Sequence, residues 1–192
     1  MKLLNLDTKY IGRNLIYYES IDSTQSEAWR QVKKKVENGT VIFANMQTNG
    51  MGTHGRRWYT DEKDNIALSI VLYPNCKIEK LNNITIDIAN AIVEVFKEFY
   101  LINLDIKYPN DIVYGGKKLG GILTETRLCG EMVKDLVIGI GLNLNQVEFK
   151  NEIKEIATSI KKEFGITVDR FKIVSEICNV LEKKFCVIME EK

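Results

Sequence analysis

The stretch that most limits the fold is Ile66-Ala-Leu-Ser-Ile-Val-Leu72, an apolar run broken by a single serine. It has the length of a strand. Successive strand side chains point to opposite faces, so a run apolar at odd and even positions alike reads as a strand buried on both sides. The chain must therefore supply neighbouring strands and cover for both faces.

The rest of the sequence supplies them. Thr24 and Glu27 have capping-box spacing, and Ala28, Val32 and Val36 then line one face of a helix that Asn38-Gly39 stops. Thr40 to Asn45 reads as a strand. Ile84, Ile88, Ala91, Ile92, Val95 and Phe99 recur at helical spacing and predict an amphipathic helix from about Leu81 to Tyr100. Leu104 to Tyr108 alternates as a strand, with Lys107 opposite Leu104, Ile106 and Tyr108. Asp111–Tyr114 and Lys117–Glu125 are joined by Gly115-Gly116, a two-residue hairpin signal. Met132 to Leu144 is a further strand, and two helical patterns close the chain. Strands grouped in hairpins, with helices between the groups, predict an α+β fold, a mixed β-sheet covered by helices. No repeat or low-complexity linker divides the 192 residues, which read as one domain with a sizeable core.

Between Asn49 and Trp58 the chain reads NGMGTHGRRW, and Gly50, Gly52 and Gly55 match the dinucleotide spacing G-x-G-x-x-G. That fingerprint needs its third glycine to open a helix. Here Gly55 is followed by residues 56–64 with no apolar helical stripe, and the ribose-binding acid expected about twenty residues on is replaced by Ile-Val-Leu. The segment is not a Rossmann turn. Three glycines still let a backbone approach an anion closely, Arg56 and Arg57 match phosphate geometry, and Trp58 offers a flat face. Taken alone, the loop reads equally as a solvated turn with a core tryptophan. Lys107-Tyr-Pro-Asn-Asp111 sets a lysine on a strand's polar face before a Pro-Asn turn, a segment that taken alone reads first as plain surface and second as a ligand site. Lys118-Leu-Gly-Gly-Ile-Leu123 carries two glycines in a strand, which marks a bulge or a close approach.

Bulk properties exclude other classes. Apolar residues at 45% and charged residues at 28% argue against disorder. A net charge of +1, with cations spread along the chain, argues against DNA as a partner. Cys76, Cys129, Cys178 and Cys186 form no C-x-x-C pair, and His54 is the only histidine, so no metal site is expected and the thiols read as reduced. No apolar run is long enough for a membrane span, and the amino terminus meets Asp7 too soon for a signal peptide. A cytoplasmic protein without a membrane partner is expected.

Taken in order, the segments resemble the catalytic domain of biotin protein ligases, over about residues 15–160, with 161–192 a helical extension. Ser23-Thr24-Gln25 resembles the family's Ser-Thr-Asn, and Gln47 through Trp58 resembles its Gly-Arg-Gly-Arg-x-Gly-Arg-x-Trp loop. Lys107-Tyr-Pro-Asn-Asp111 resembles Lys-Trp-Pro-Asn-Asp, and Lys118 to Leu123 resembles Lys-x-x-Gly-Ile-Leu. Ile138-Gly-Ile-Gly-Leu-Asn-Leu144 resembles the Gly-x-Gly-x-Asn strand, and Ala157-Thr-Ser159 the later Ala-Thr-Ser.

The resemblance implies a biotin/lipoate ligase-like, class II synthetase-like sheet and a two-step reaction. Biotin and ATP form biotinyl-5'-AMP and pyrophosphate, and a lysine of a carboxylase's biotin carboxyl carrier domain then takes the biotin. Holding a carboxylate against a triphosphate takes several cations, since one ion pair near a surface is worth about 4 kcal/mol at about 4 Å while ATP carries about four negative charges. By resemblance these are Arg56, Lys107 and Lys118, with Mg²⁺ on the phosphates and Asp111 orienting the site. Lys107 is implied as the essential cation at the reacting carboxylate. Ser23, Thr24, Gln47 and Gly50, with Lys118, would bind biotin, and Gly120 and Gly121 would leave room for its ring. Arg57, Trp58, Asn110 and Asn143, with Arg56 and Lys107, would hold the adenylate. A homodimer is a family habit.

Thr53 stands where the family pattern has the arginine that retains the adenylate, and Gln25 is one methylene longer than the family's Asn. The Ser-Thr motif begins too early for a helix-turn-helix domain to precede it, so a repressor role is not expected. Helix-patterned sequence from Phe171 to Phe185 stands where many members continue to a small β-barrel. Two other readings stand beside the ligase: a lipoate- or octanoate-handling acyltransferase of the same fold, and a non-catalytic biotin-binding module.

Overall fold

A computed structural model describes residues 3–60 and 64–190. One sheet organises them. Its strands are β1 (Leu15–Ile21), β2 (Thr40–Gln47), β3 (Ile66–Leu72), β4 (Cys76–Lys77), β5 (Asp105–Lys107), β6 (Asp111–Tyr114), β7 (Lys117–Cys129) and β8 (Met132–Leu142). The order across the sheet is β1-β2-β3-β8-β7-β6-β5, with the two-residue β4 pairing β8. β1 runs parallel to β2 and every other pairing is antiparallel, so the sheet is mixed, as expected.

All seven residues of β3 are buried, as their composition demands. β3 has β2 on one side and β8 on the other. Ile66, Leu68, Ile70 and Leu72 enter the main core, while Val71 joins a smaller cluster on the opposite face. Helices α2 (Ile84–Tyr100) and α4 (Arg170–Glu190) close the main core through Ile88, Ile92, Phe96, Ile173, Ile177 and Leu181, with the short α3 (Ile160–Phe164) beside them. Among the described residues, α1 (Thr24–Lys33) is the helix on the opposite face, packing Ala28 and Val32 on Ile42, Val71 and Val137. Ten residues of helix span only about 15 Å. The sheet is longer than its cover.

Several local expectations change. β1 falls outside every element predicted from the sequence, although Leu15-Ile-Tyr-Tyr18 has strand composition. The N-cap of α1 is Ser23, whose Oγ accepts from the Ser26 amide, so Thr24 and Glu27 form no capping box. Glu27 instead accepts from Arg30, Gln31 and Tyr18. The helix ends at Lys33, and Val36 packs on the small cluster from beyond it. α2 starts at Ile84, and Tyr108 lies past β5 and is 78% exposed instead of sharing an apolar face. Gly115 and Gly116 both have positive φ, the geometry of a tight two-residue hairpin.

Candidate active site

Where α1 stops, the sheet face beneath it changes character. Past Val71 and Val137, the inward positions become Ser69 and Ala67 on β3 and Gly139 and Gly141 on β8, and Gly121 of β7 sits opposite Gly141. Small residues there leave a hollow of about 440 Å³, counting the part open to solvent, between the amino end of α1, the sheet and the glycine loop. The two alternating glycines of β8 are thus where the sheet turns from core to cleft.

The inner end of this recess is polar and buried. Gln47, the last residue of β2, accepts at Oε1 from the Thr24 amide (2.8 Å) and hydroxyl (3.1 Å), and its Nε2 donates to Thr60 Oγ1 (3.1 Å). Ser69 Oγ lies 3.0 Å from both Thr24 Oγ1 and Gln25 Oε1. Ser23, Thr24, Gln25 and Ser69 are each less than 5% exposed. Asp22 and Arg30 brace the entry to α1 with a two-point ion pair (2.6 and 3.0 Å), and the guanidinium's hydrogen bonds hold the Asp22 carboxyl below its usual range.

The glycine loop folds back on itself and opens no helix of the Rossmann kind. Met51 bridges Arg57, the Trp58 amide donates to the Gly50 carbonyl at 3.0 Å, and His54 and Gly55 have positive φ. Of residues 56–64, which carry no apolar helical stripe, residues 61–63 lie outside the described residues. The loop lays the Trp58 indole flat on β8: a Cβ built on Gly141 would sit 2.3 Å from Trp58 Cε2. Trp58 Nε1 is buried there without a partner.

A second hollow, of about 1010 Å³ with its open part, lies on the far side of Trp58. Arg56, Arg57, Tyr59 and Asn143 line it, together with Glu152, Ile153, Ile156 and Ala157 from the segment after β8. Tyr59 donates to Glu152 at 2.6 Å, tying the glycine loop to that segment, and Arg57 and Lys150 each lie 5.3 Å from the Tyr59 ring. Gly52, Thr53, Trp58 and Lys118 line both hollows, so Lys118 stands at the waist between them. Its Nζ is 2.6 Å from Asp111 Oδ1 and 5.7 Å from the Trp58 ring centre.

The sequence-predicted residues therefore divide. Ser23, Thr24, Gln47, Gly121, Asn110 and Lys118 meet at the first hollow, and Arg56, Arg57, Trp58, Asn143 and Lys118 at the second. Asp111 reaches the site through Lys118. Three behave differently. Lys107 is exposed, pairs with Asp111 across β5 and β6, and lines neither hollow. Gly120 points to the other side of the sheet from Gly121, where a Cβ would meet Leu142 at 2.5 Å. Gly50 lines neither hollow; a Cβ there would strike the Trp58 carbonyl at 2.3 Å, so it serves the loop's closure. Ser69 and Glu152 went unrecognised. Ser69 had a signal, being the one polar residue of an otherwise apolar strand, whereas Glu152 had none.

A model of the biotin/lipoate A/B protein ligase family matches residues 17–143. Over 182 residues the chain is 36% identical to the bifunctional ligase/repressor BirA of Bacillus subtilis, covering 94% of this chain and 56% of that protein. It is 29% identical over 152 residues to the biotin–[acetyl-CoA-carboxylase] ligase of Mycobacterium tuberculosis, covering 77% and 54%. The chain thus spans about half the length of the curated relatives it matches. Among solved structures, the biotin protein ligase of Aquifex aeolicus in complex with biotin and ATP superposes with a TM-score of 0.79 at 29% identity, covering 94% of this chain and 73% of that one. The Leishmania major enzyme in complex with biotinyl-5-AMP superposes at 0.71 and 25% identity, covering 93% and 77%.

Proposed function

The chain belongs to the biotin/lipoate A/B protein ligase family, and from the chemistry of its two hollows we propose that it is the catalytic unit of an ATP-dependent biotin protein ligase. The observation that carries the choice of acid is the buried polar end of the first hollow, formed by Ser23, Thr24, Gln25, Gln47 and Ser69. Biotin's head is a ring bearing two N–H donors and a carbonyl, which such a wall can satisfy. Lipoate's head offers only sulfur. Each buried polar group left unmatched against it would cost about 1–3 kcal/mol, enough to decide between the two acids. Relatives named biotin ligases, and neighbours solved with biotin and ATP or with biotinyl-5-AMP, support the same reading.

With the head at the inner end, the acid's tail runs over Gly121 and its carboxylate reaches the waist at Lys118. The triphosphate lies in the second hollow beside Arg56 and Arg57, with the adenosine toward Asn143 and Trp58. A carboxylate oxygen attacks the α-phosphorus as the bond to the pyrophosphate oxygen breaks, and Lys118 opposes the charge that gathers between the two anions. The amine of a carrier lysine then attacks the activated carbonyl, AMP departs, and the amine loses its proton. Positioning and charge suffice, without a nucleophilic side chain. The essential cation of the first step is assigned to Lys118 rather than Lys107, because Lys118 lines both hollows.

Among the described residues no cluster of three His, Cys, Asp or Glu could hold a metal ion. At the site, Asp111 is engaged by Lys118 and Glu152 by Tyr59. Mg²⁺ would therefore be held mainly by the phosphates, where it would supply charge screening. No described helix is long and apolar enough to cross a membrane, and a supply of ATP and unmodified carrier lysines is met in the cytoplasm.

The test is to incubate the purified chain with biotin, ATP, Mg²⁺ and a biotin carboxyl carrier domain, following pyrophosphate and carrier mass together. Pyrophosphate with a biotin-sized mass gain is expected. Pyrophosphate alone would reduce the proposal to an adenylating module, and turnover of lipoate in place of biotin would overturn the choice of acid.

A further inference from the structure

Behind the polar wall stands a carboxylate with no part in the chemistry described so far. Glu125 of β7 accepts through one oxygen, Oε2, from Gln25 Nε2 at 2.9 Å and from Trp29 Nε1 at 2.6 Å. Both donors come from α1, one turn apart, and Gln25 is 3% exposed. Gly139 makes the arrangement fit, since a Cβ there would lie 2.6 Å from Gln25 Oε1. The longer amide at position 25 is thus accommodated by a glycine and anchored by an acid.

An ionised carboxylate can only accept hydrogen bonds. Gln25 must therefore turn its NH₂ to Glu125 and its Oε1 to Ser69. Ser69 has one proton, and it lies between two acceptors, Gln25 Oε1 and Thr24 Oγ1, each 3.0 Å away. The Thr24 proton goes into the wall, to Gln47 Oε1 at 3.1 Å. A hydroxyl oxygen has two lone pairs, so Thr24 offers the hollow an acceptor on which Ser69 draws only in part. Reverse the Gln25 amide and Nε2 faces Ser69, so the Ser69 proton passes wholly to Thr24, which fills one lone pair and leaves the other a weaker acceptor toward the hollow.

We propose that Glu125 is a positioning residue that fixes the Gln25 amide, and through Ser69 the Thr24 hydroxyl, so that the recess accepts a ring N–H. The inference rests on the biotin reading above and deepens it. It names the group that sets hydrogen-bond polarity at the head of the acid, 100 residues away in sequence from the amide it holds.

The test compares wild type with Glu125→Ala and Glu125→Gln in steady-state pyrophosphate release, titrating biotin and ATP separately. Glu125→Ala is expected to raise the KM for biotin about tenfold, the worth of one misdirected hydrogen bond, with the KM for ATP within about twofold. Glu125→Gln keeps an amide oxygen between two N–H donors, and a flip would set its NH₂ against both, so it should restore the biotin KM to within about threefold of wild type. An unchanged biotin KM in Glu125→Ala, or biotin and ATP KM values rising together in it, would overturn the inference. Should Glu125→Ala fail to fold, Gln25→Met, of similar length but without polarity, carries the same expectation and the same refutation. Wild type releasing no pyrophosphate with biotin would overturn the proposed function itself, together with this inference; normal wild-type turnover with an indifferent Glu125→Ala would overturn the inference alone.

Discussion

Lys118 Nζ lies 2.6 Å from Asp111 Oδ1 across the β6–β7 hairpin, which holds the ammonium at the waist between the two hollows. Lys107 faces Asp111 from the other side, on β5, but its side chain is exposed. The two lysines flank one acid, and one of them lines the cleft.

Lys118→Gln should therefore lower kcat/KM for pyrophosphate release by about 10²–10³-fold, the usual cost of one positioned charge-stabilising group. Lys107→Ala should cost less than about tenfold, because an exposed charge outside the hollows acts through water, where a unit pair at about 4 Å is worth about 1 kcal/mol. Both are read in the same coupled pyrophosphate assay. The reverse ranking would return the essential role to Lys107.

Gly141→Ala tests the seat of Trp58. The added methyl would meet Trp58 Cε2 at 2.3 Å, so the indole must leave β8. We expect biotin and ATP each to bind at least about tenfold more weakly, as a misplaced contact surface costs roughly 1–2 kcal/mol. Tryptophan emission should shift to the red in a Trp29→Phe background, where Trp58 is the remaining indole. Titration calorimetry that finds both affinities intact would mean the indole is not part of either wall.

Much of this arrangement was legible in the chain, and what was not has a physical reason. The strand Ile66–Leu72 and the helix ending at Tyr100 were readable because burial writes itself into hydrophobic period. The Gly115-Gly116 turn was readable because few residues tolerate its backbone. β1 was missed because a half-buried edge strand carries a weak pattern. The resemblance brought Lys107 and Lys118 forward together, and only the register of β5, β6 and β7 separates the exposed one from the one at the waist. Gly120 and Gly121 looked equivalent in sequence; strand alternation sends them to opposite faces. The Gln25–Glu125 contact joins residues 100 positions apart, which no local spacing reveals.

Thr53→Arg probes retention of the proposed biotinyl-5'-AMP intermediate. Thr53 lines both hollows, with its Oγ1 3.5 Å from Asn110 Nδ2. An arginine there could reach a phosphate with two parallel N–H donors, a charge-assisted contact worth about 1.5–3 kcal/mol. Loss of biotinyl-5'-AMP after a chase with unlabelled biotin and ATP should slow by at least about tenfold. An unchanged release rate would show that residues 52–57 hold the adenylate without help from this position.

Cys178 gives a prediction about the fold itself. It is fully buried on α4 under Gly12, and burial pushes its thiol from 9.0 up to about 12. A raised folded-state pKa means that the folded chain keeps this proton where the unfolded chain releases it. The contribution to stability is intact below pH 9 and is lost as pH rises from there toward 12, by up to about 1.4 kcal/mol per pH unit. Denaturant midpoints measured between pH 8 and 10.5 should fall, and fall less steeply in Cys178→Ala, whose residual slope belongs to Cys76 and to the half-buried Tyr18, Tyr73 and Tyr100, also raised by burial. At pH 8 a thiol reagent should modify the exposed Cys129 in the native protein and reach Cys178 only on unfolding. Equal slopes in wild type and Cys178→Ala, or native-state labelling of Cys178, would mean that α4 opens on this face without global unfolding.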